Sequence, residues 1–366
     1  MKLRSLMLGL FFLASANAIF AADISVPDFE LITRGYLDAG TFKLDTHGAM
    51  DFQIGGGYKF GGNVLLSFQG DNIGDISTLS TTHLTFKGAS LTIHNLFRSP
   101  LDLTYFSGYN DTFGNGDVFP QDFGTAPIAS RYRGYYYFPT GIEYDGIYTV
   151  AGTGLRLSIP NVSKRFDSQL YIYQDANLGA GYYGSDFRVL LNYDHFKFEG
   201  FVGSSFPVST AGIYRGGALL YYNTGSGGEF LTEIGVPRWD PIKDTFDIGL
   251  LYLLFEPRVS FGSFSITPTL FWHPYYYNDA ATNQVPTANI NVDFRFGNPE
   301  KNPTTGGFET EIDYSTTSST QFQALLSPYL RLVASGVIWN FKVDIKLYPF
   351  VLSDIAEGYV GVQAQF

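Results

Sequence analysis

From residue 29 onward the chain alternates apolar and polar side chains with a period of two, in many short runs, and helical spacing is hard to find. The clearest run is Val337 to Leu347. Val337, Trp339, Phe341, Val343, Ile345 and Leu347 fall on one face, and Asn340, Lys342, Asp344 and Lys346 fall on the other. Successive side chains of a strand point to opposite faces, so this segment reads as a β-strand with one side suited to an apolar medium and one to water. The same grammar recurs over 52–60, 64–68, 196–202, 288–296 and 308–314. Short links predict antiparallel hairpins at Gly61-Gly62-Asn63, Lys87-Gly88-Ala89, Tyr193-Asp194-His195, Glu256-Pro257-Arg258 and Ala334-Ser335-Gly336.

Strict up-and-down parity places eighteen strands, at the top of a range of about 14 to 18 and within a preferred 16 to 18. The weakest stretch for alternation is 98–140, which is read as a long loop, although Leu101 to Tyr105 can add a strand there. Tight turns alternate with longer polar connections such as His273 to Pro286, so the two ends of the sheet differ. No linker, repeat or compositional break divides residues 19–366, which read as one domain.

The first eighteen residues follow another pattern. Lys2 and Arg4 precede the apolar run Leu6 to Leu13, and Ala16-Asn17-Ala18 supplies small side chains at a cleavage site. This is the layout of a secretory signal peptide over 1–18, with the mature chain starting near Ile19. The run is too short to span about 30 Å of hydrocarbon, and after residue 22 no apolar stretch approaches the roughly 20 residues of a membrane helix. Membrane strands need only about 9 to 11 residues and alternate, so hydropathy averages do not exclude them.

Composition then removes several classes. The chain of 366 residues has no Cys, which excludes a disulfide framework and any thiolate site. Its 23 basic and 34 acidic residues give a net charge of −11, and without Lys2 and Arg4 the balance is 21 against 34, or −13. An acidic chain with scattered Lys and Arg lacks the basic stripe that nucleic acid demands. Aromatic residues make up 17% and cluster where strands should end, as at Tyr135 to Phe138, Tyr182-Tyr183, Tyr221-Tyr222 and Trp272 to Tyr277. Tyr and Trp favour the level of lipid headgroups, although β-propensity alone also enriches them in strands.

The chain closes on Gly358 to Phe366, with Val360, Val362 and Ala364 alternating toward a terminal aromatic. Taken with the export signal and the alternating strands, this resembles the closing strand of bacterial outer-membrane β-barrels, and the whole chain resembles a porin-like barrel. The resemblance implies an all-β, transmembrane, antiparallel up-and-down barrel in the bacterial outer membrane, surrounded by outer-membrane lipids. It also implies that the barrel-assembly machinery reads the strand ending in Phe366, and it leaves room for a homo-oligomer.

In such a barrel the apolar face meets lipid and the polar face lines the lumen. Over the last strands the lumen set then includes Asn291, Asp293, Arg295, Glu309, Glu311, Asp313, Gln321, Gln323, Arg331, Asn340, Lys342, Asp344 and Lys346. Acids and bases nearly balance. Rows of opposite charge facing each other across a pore would order water and favour polar solutes, whereas charges paired across strands would solvate or fill the interior. Both readings stand. By the same resemblance the long loop folds into the pore as a constriction, with Asp111, Asp117, Asp122, Arg131 and Arg133 as its charged lining. An external loop is the alternative.

Enzymatic motifs are weak. The five histidines, His47, His83, His94, His195 and His273, form no His-Glu-x-x-His pattern, and no Gly-x-Ser-x-Gly occurs. His83 and His94 are expected on facing strands of one hairpin. The Asp/Gly run at 110–117 misses the EF-hand spacing, and Gly179 to Gly184 matches a dinucleotide pattern without its strand-helix context. No cofactor or metal is implied. The expected function is passive diffusion of small hydrophilic solutes or ions. The alternatives are a transporter for apolar or aromatic substrates, prompted by Tyr171, Tyr173, Phe201 and Phe271, and a structural or adhesin barrel with a filled lumen.

Overall fold

A computed structural model describes residues 23–364 apart from 39, 58, 71–82, 133–145, 160–164, 208–210, 276–286, 300, 317–320 and 353–354. The segment 1–18, assigned to a signal peptide, and the terminal Phe366 lie outside the described residues, as does Arg133.

Eighteen strands run in chain order. They are β1 (Asp23–Asp38), β2 (Thr41–Gly56), β3 (Phe60–Gly70), β4 (His83–Ile93), β5 (Asp102–Phe113) and β6 (Tyr148–Ile159). Then come β7 (Phe166–Asp175), β8 (Tyr182–Asn192), β9 (Phe196–Pro207), β10 (Ile213–Asn223), β11 (Gly228–Trp239) and β12 (Tyr252–Phe261). The last six are β13 (Phe264–Trp272), β14 (Ala288–Phe296), β15 (Thr304–Tyr314), β16 (Phe322–Ala334), β17 (Val337–Tyr348) and β18 (Ala356–Ala364). Each pairs antiparallel with its sequence neighbours, and β1 pairs with β18 from Phe29↔Ala364 to Gly35↔Gly358, which closes the barrel. Closure satisfies every strand edge within the protein, a requirement in hydrocarbon.

The two faces sort as the alternation predicts. Phe187, Val202, Ile234, Phe255, Ile290 and Phe341 are exposed on the outside. The alternate positions Asp186, Arg188, Glu199, Glu233, Glu256 and Asn291 are buried within. This is the reverse of a water-soluble sandwich. Aromatic rings mark the outer surface near the strand ends, including Tyr183 and Tyr222 and a mostly edge-to-face series from Phe206 through Tyr214 and Trp239 to Phe246, with centroids 6.1, 6.2 and 5.6 Å apart.

One rim carries tight links such as 193–195, 262–263 and 335–336, and the other carries 71–82, 114–147, 240–251 and 273–287. The turn between β16 and β17 places Ser335 and Gly336 at φ 53° and 80°, the positive values that a two-residue hairpin link requires.

The strand number equals the expected eighteen through two compensating differences. Lys87-Gly88-Ala89 is not a turn: 83–93 is the single strand β4, and Lys87 is the unmatched residue of a register shift against Leu65 and Leu66. Residues 102–113, expected within a loop spanning 98–140, form β5, so the long connection is 114–147. Gly88 sits where backbones crowd: a Cβ there would lie 2.4 Å from the Tyr109 carbonyl, and one on Gly108, at φ +94°, would lie 2.2 Å from that of Lys87. Above this pair β4 and β5 no longer pair with each other, since their ladder spans only 88–93 with 103–108.

Two further turns were misplaced. Glu256-Pro257-Arg258 lies inside β12, and the link is at 262–263. Pro257 stands in a gap of the β12–β13 ladder that skips 256–258 and 267–269, where Pro268 also lacks a donor. Gly61 to Asn63 belong to β3, after a link at 57–59. His83 opens β4 and His94 follows its end, so the two histidines sit at opposite ends of one strand and do not face each other.

Candidate functional site: the inward loop and the cavity beside it

The connection from β5 to β6 turns into the barrel. Phe113 ends β5 fully buried, and Val118, Phe119, Ile128 and Tyr132 of the connection pack in one cluster with Tyr171, Tyr173, Leu190, Phe201, Leu254 and Phe271. The aromatics that suggested an apolar cargo therefore do point inward, but they form the bed on which this loop lies. Phe113 meets Phe201 at 4.9 Å and Tyr171 at 5.2 Å between ring centroids. Six residues form the short helix α1 (Val118–Phe123), ended by Gly124 in the left-handed region. At Gly116, φ +75°, a Cβ would lie 2.3 Å from the Ile128 carbonyl, so the loop closes on itself only with glycine there.

Buried polar groups on the wall hold the loop at four places. At its root, Glu199 of β9 accepts from the Gly114 N–H at 2.8 Å and from Arg188 Nε at 2.9 Å, both side chains being fully buried. Arg188 lies 5.0 Å over the Phe113 ring. Further along, Gln169 of β7 donates to Asp122 at 3.0 Å. Glu256 of β12 accepts from the Arg131 N–H at 3.0 Å and from Ser130 Oγ, while Arg258 donates to the Ala129 carbonyl. Finally Asn289 of β14 donates to Tyr132 Oη at 3.3 Å. Burial pushes the Asp122 carboxyl above the usual carboxylate range and raises the Tyr132 phenol; burial and then the neighbouring Arg258 lower Arg131.

The expected site residues divide accordingly. Asp111, on β5, accepts from Arg156 Nη1 at 2.8 Å and from Tyr171 Oη at 3.0 Å, which holds it against the wall. Asp117 is exposed in a turn with Asn115, whose amide donates to it at 2.9 Å. Asp122 and Arg131 are loop anchors; Arg131 Nη2 reaches Glu229 at 3.3 Å.

The expected residues within β14–β17 lie on the inward alternation, Gln321 precedes β16, and the ion pairs of the charged ones run along the same wall, while Glu311 also meets Tyr132 of the loop. Asp293 pairs with Arg295 at 2.8 Å, Lys342 with Glu309 at 2.9 Å, and Lys346 with Glu357 at 3.3 Å. Asn289 donates to both Glu311 and Asp313. Asp344 lies 3.6 Å from Lys342, Asn340 donates to Gln363 at 3.2 Å, and Arg331 stands across from Thr305 in the ladder. Of the two readings of these charges, the geometry is that of pairs along the wall.

The buried charged residues of β7 to β12 are not among the expected lining although parity marks them. Arg215 donates to Asp186 at 2.6 Å, to Ser205 at 2.8 Å and to Tyr173 at 2.9 Å, with Asp175 at 3.5 Å and the Tyr148 ring 4.3 Å away. Arg258 was hidden by the misplaced turn.

On the side facing β3 and β4 the loop leaves space. A cavity of about 600 Å³ lies there, walled by Ser67, Gln69, Thr85 and Lys87 on the barrel and by Asn110, Asn115, Asp117 and Gln121 on β5 and the loop. Lys87 pairs with Asp51 at 2.9 Å.

No family model matches the sequence, and no curated protein matches it. Its backbone does match solved structures. OccK5 (OpdH) of Pseudomonas aeruginosa aligns over 94% of this chain and 97% of its own, with a TM-score of 0.53 and 10% identity. The fold is that of a porin-like outer-membrane barrel. OccAB2 of Acinetobacter baumannii aligns over 94% and 98%, with a TM-score of 0.51 and 11% identity. A triple mutant of the Rhodopseudomonas blastica porin aligns more loosely, over 94% and 100% at a TM-score of 0.44 and 9% identity.

Proposed function

We propose that the protein is a channel of the bacterial outer membrane through which small hydrophilic solutes or ions diffuse passively. The observation that carries this reading is the loop of 114–132 packed inside a barrel whose exterior is apolar, with a polar cavity left between that loop and β3–β4. Outer-membrane lipids solvate the outward face, whose exposed leucines, valines and phenylalanines are otherwise costly in water. Selectivity follows from the bore and the field beside the loop, with Asp111, Asp117 and Lys87 nearest the opening and the paired charges of β14–β17 setting the polarity of the wall. The protein performs no chemistry on what passes. The closing segment, β18 and the residues that follow it, is what the barrel-assembly machinery would read, and self-association of barrels is compatible with the lipid-facing surface.

Single-channel recording of the refolded protein in a planar bilayer tests the reading. Stable unitary current steps are expected. A correctly folded barrel that stays silent contradicts the channel and favours the filled-lumen alternative.

A further inference from the structure

We infer that the cavity between the inward loop and β3–β4 is a binding site for neutral polyhydroxylated solutes, of the size and chemistry of a mono- or disaccharide. The inference rests on the channel reading and names the solute class for the space beside the inward loop. Its volume, about 600 Å³, is within the range of small-molecule sites, about 300 to 1,000 Å³.

The lining argues for a neutral ligand rather than an ion. Its amides come from Gln69, Asn110, Asn115 and Gln121, and its hydroxyls include Ser67 and Thr85. Amides and hydroxyls both donate and accept, which suits a solute whose every hydroxyl does the same. The charges close to the cavity are largely matched inside the wall: Lys87 by Asp51, Asp111 by Arg156, and Arg188 by Glu199. Asp117 adds one carboxylate from the loop, which disfavours an anion and does not by itself make a dedicated cation site.

A second observation is independent of composition. Ser67 is a lining residue that is 1% exposed, and its Oγ makes no hydrogen bond among the described residues. A buried hydroxyl without a protein partner carries a desolvation cost that a ligand hydroxyl placed against it removes. Tyr109 adds an aromatic surface to the same lining.

The test uses the full barrel with glucose and sucrose as probes and succinate and putrescine as charged comparators of small size. In planar bilayers the sugars should reduce the open-channel current in a saturable way, beyond the proportional fall that viscosity causes in a wide pore. Calorimetric titration of the barrel in detergent should show the same affinity. Combining Ser67→Ala with Gln121→Leu should weaken sugar binding about tenfold, the loss of one to two hydrogen bonds.

Current that falls only with viscosity, no heat on titration, or saturable block by succinate or putrescine in place of sugar would each overturn the inference and leave the channel standing. Sugar binding by a barrel that never conducts would remove the channel and keep the site. Retained heat-modifiable migration shows that the double variant folds; if it does not, Gln121→Leu alone, on the loop surface, serves in its place.

Discussion

Removing Glu256 should release the loop from the barrel interior without unfolding the barrel. Its carboxylate is fully buried and accepts from the Arg131 N–H at 3.0 Å, Thr269 Oγ1 at 2.9 Å, Arg258 Nε at 2.8 Å and Ser130 Oγ. Breaking a buried ion pair from one side costs about 3–5 kcal/mol. Glu229 remains 3.1 Å from Arg258, and the Ala129 carbonyl still accepts from the same guanidinium, which puts Glu256→Ala at the lower end, about 3 kcal/mol. The loss falls on the equilibrium between loop packed and loop released, because the β11–β12 ladder does not depend on this side chain. At about 1.4 kcal/mol per decade the released-to-packed ratio rises roughly a hundredfold. In planar bilayers the variant should show a larger unitary conductance and more open-channel noise, and protease should cut within 124–132 where the parent resists. Glu256→Gln, which keeps an acceptor and the volume, should fall between the two. A folded Glu256→Ala barrel with parental conductance, parental noise and an uncut loop would refute the assignment of these bonds as the loop's latch.

Other outcomes follow from the same geometry. Gly108→Val puts a branched side chain at φ +94° and into the Lys87 carbonyl, and should cost at least about 2–3 kcal/mol in equilibrium refolding, whereas Gly62→Val, with open space around its Cβ, should be close to neutral. Burial raises the Asp122 carboxyl above its unfolded value, so the folded loop holds that proton more strongly than the unfolded chain does. Its contribution to loop packing is then fully present at low pH and is lost as pH rises through the elevated folded value, so loop noise should grow with pH above the ordinary carboxylate range and flatten in Asp122→Asn. Phe341→Arg, on the lipid face of β17, should cost about 2–4 kcal/mol in folding into vesicles, while Asn340→Arg, one residue away on the inward face, should cost little by the same titration.

The barrel was legible because the physical requirement is simple: one face for lipid and one for water, repeated in every strand. Val337 to Leu347 carried that signal without interruption, and its register in the structure keeps the same division. Legibility failed where the backbone departs from a plain ladder. Lys87-Gly88 has the composition of a turn but serves a bulge at the point where β5 leaves β4, and Pro257 has the composition of a breaker but stands in a ladder gap. Both positions depend on a neighbouring strand that the local sequence does not contain. Resemblance implies an inward course for the loop, with an external course as the alternative; Asp117, Asp122 and Arg131 lie on the inward loop, whereas Asp111 is on β5. The groups that hold it, Glu199, Gln169, Glu256 and Asn289, come from strands up to 157 residues away in sequence, as the Asn289 to Tyr132 bond illustrates. Alternation marked those side chains as inward, but only the tertiary packing gives them the loop as a partner.

The account stands or falls on which side of each strand meets lipid, and the absence of cysteine makes that directly measurable. Single cysteines at 339 through 344 of β17, introduced one at a time into the barrel in vesicles, can be titrated with a charged, water-soluble thiol reagent. The account predicts reaction at Asn340 and Asp344, with Trp339, Phe341 and Val343 protected. Uniform protection across the strand, or reaction at the aromatic positions with Asn340 and Asp344 silent, would contradict it.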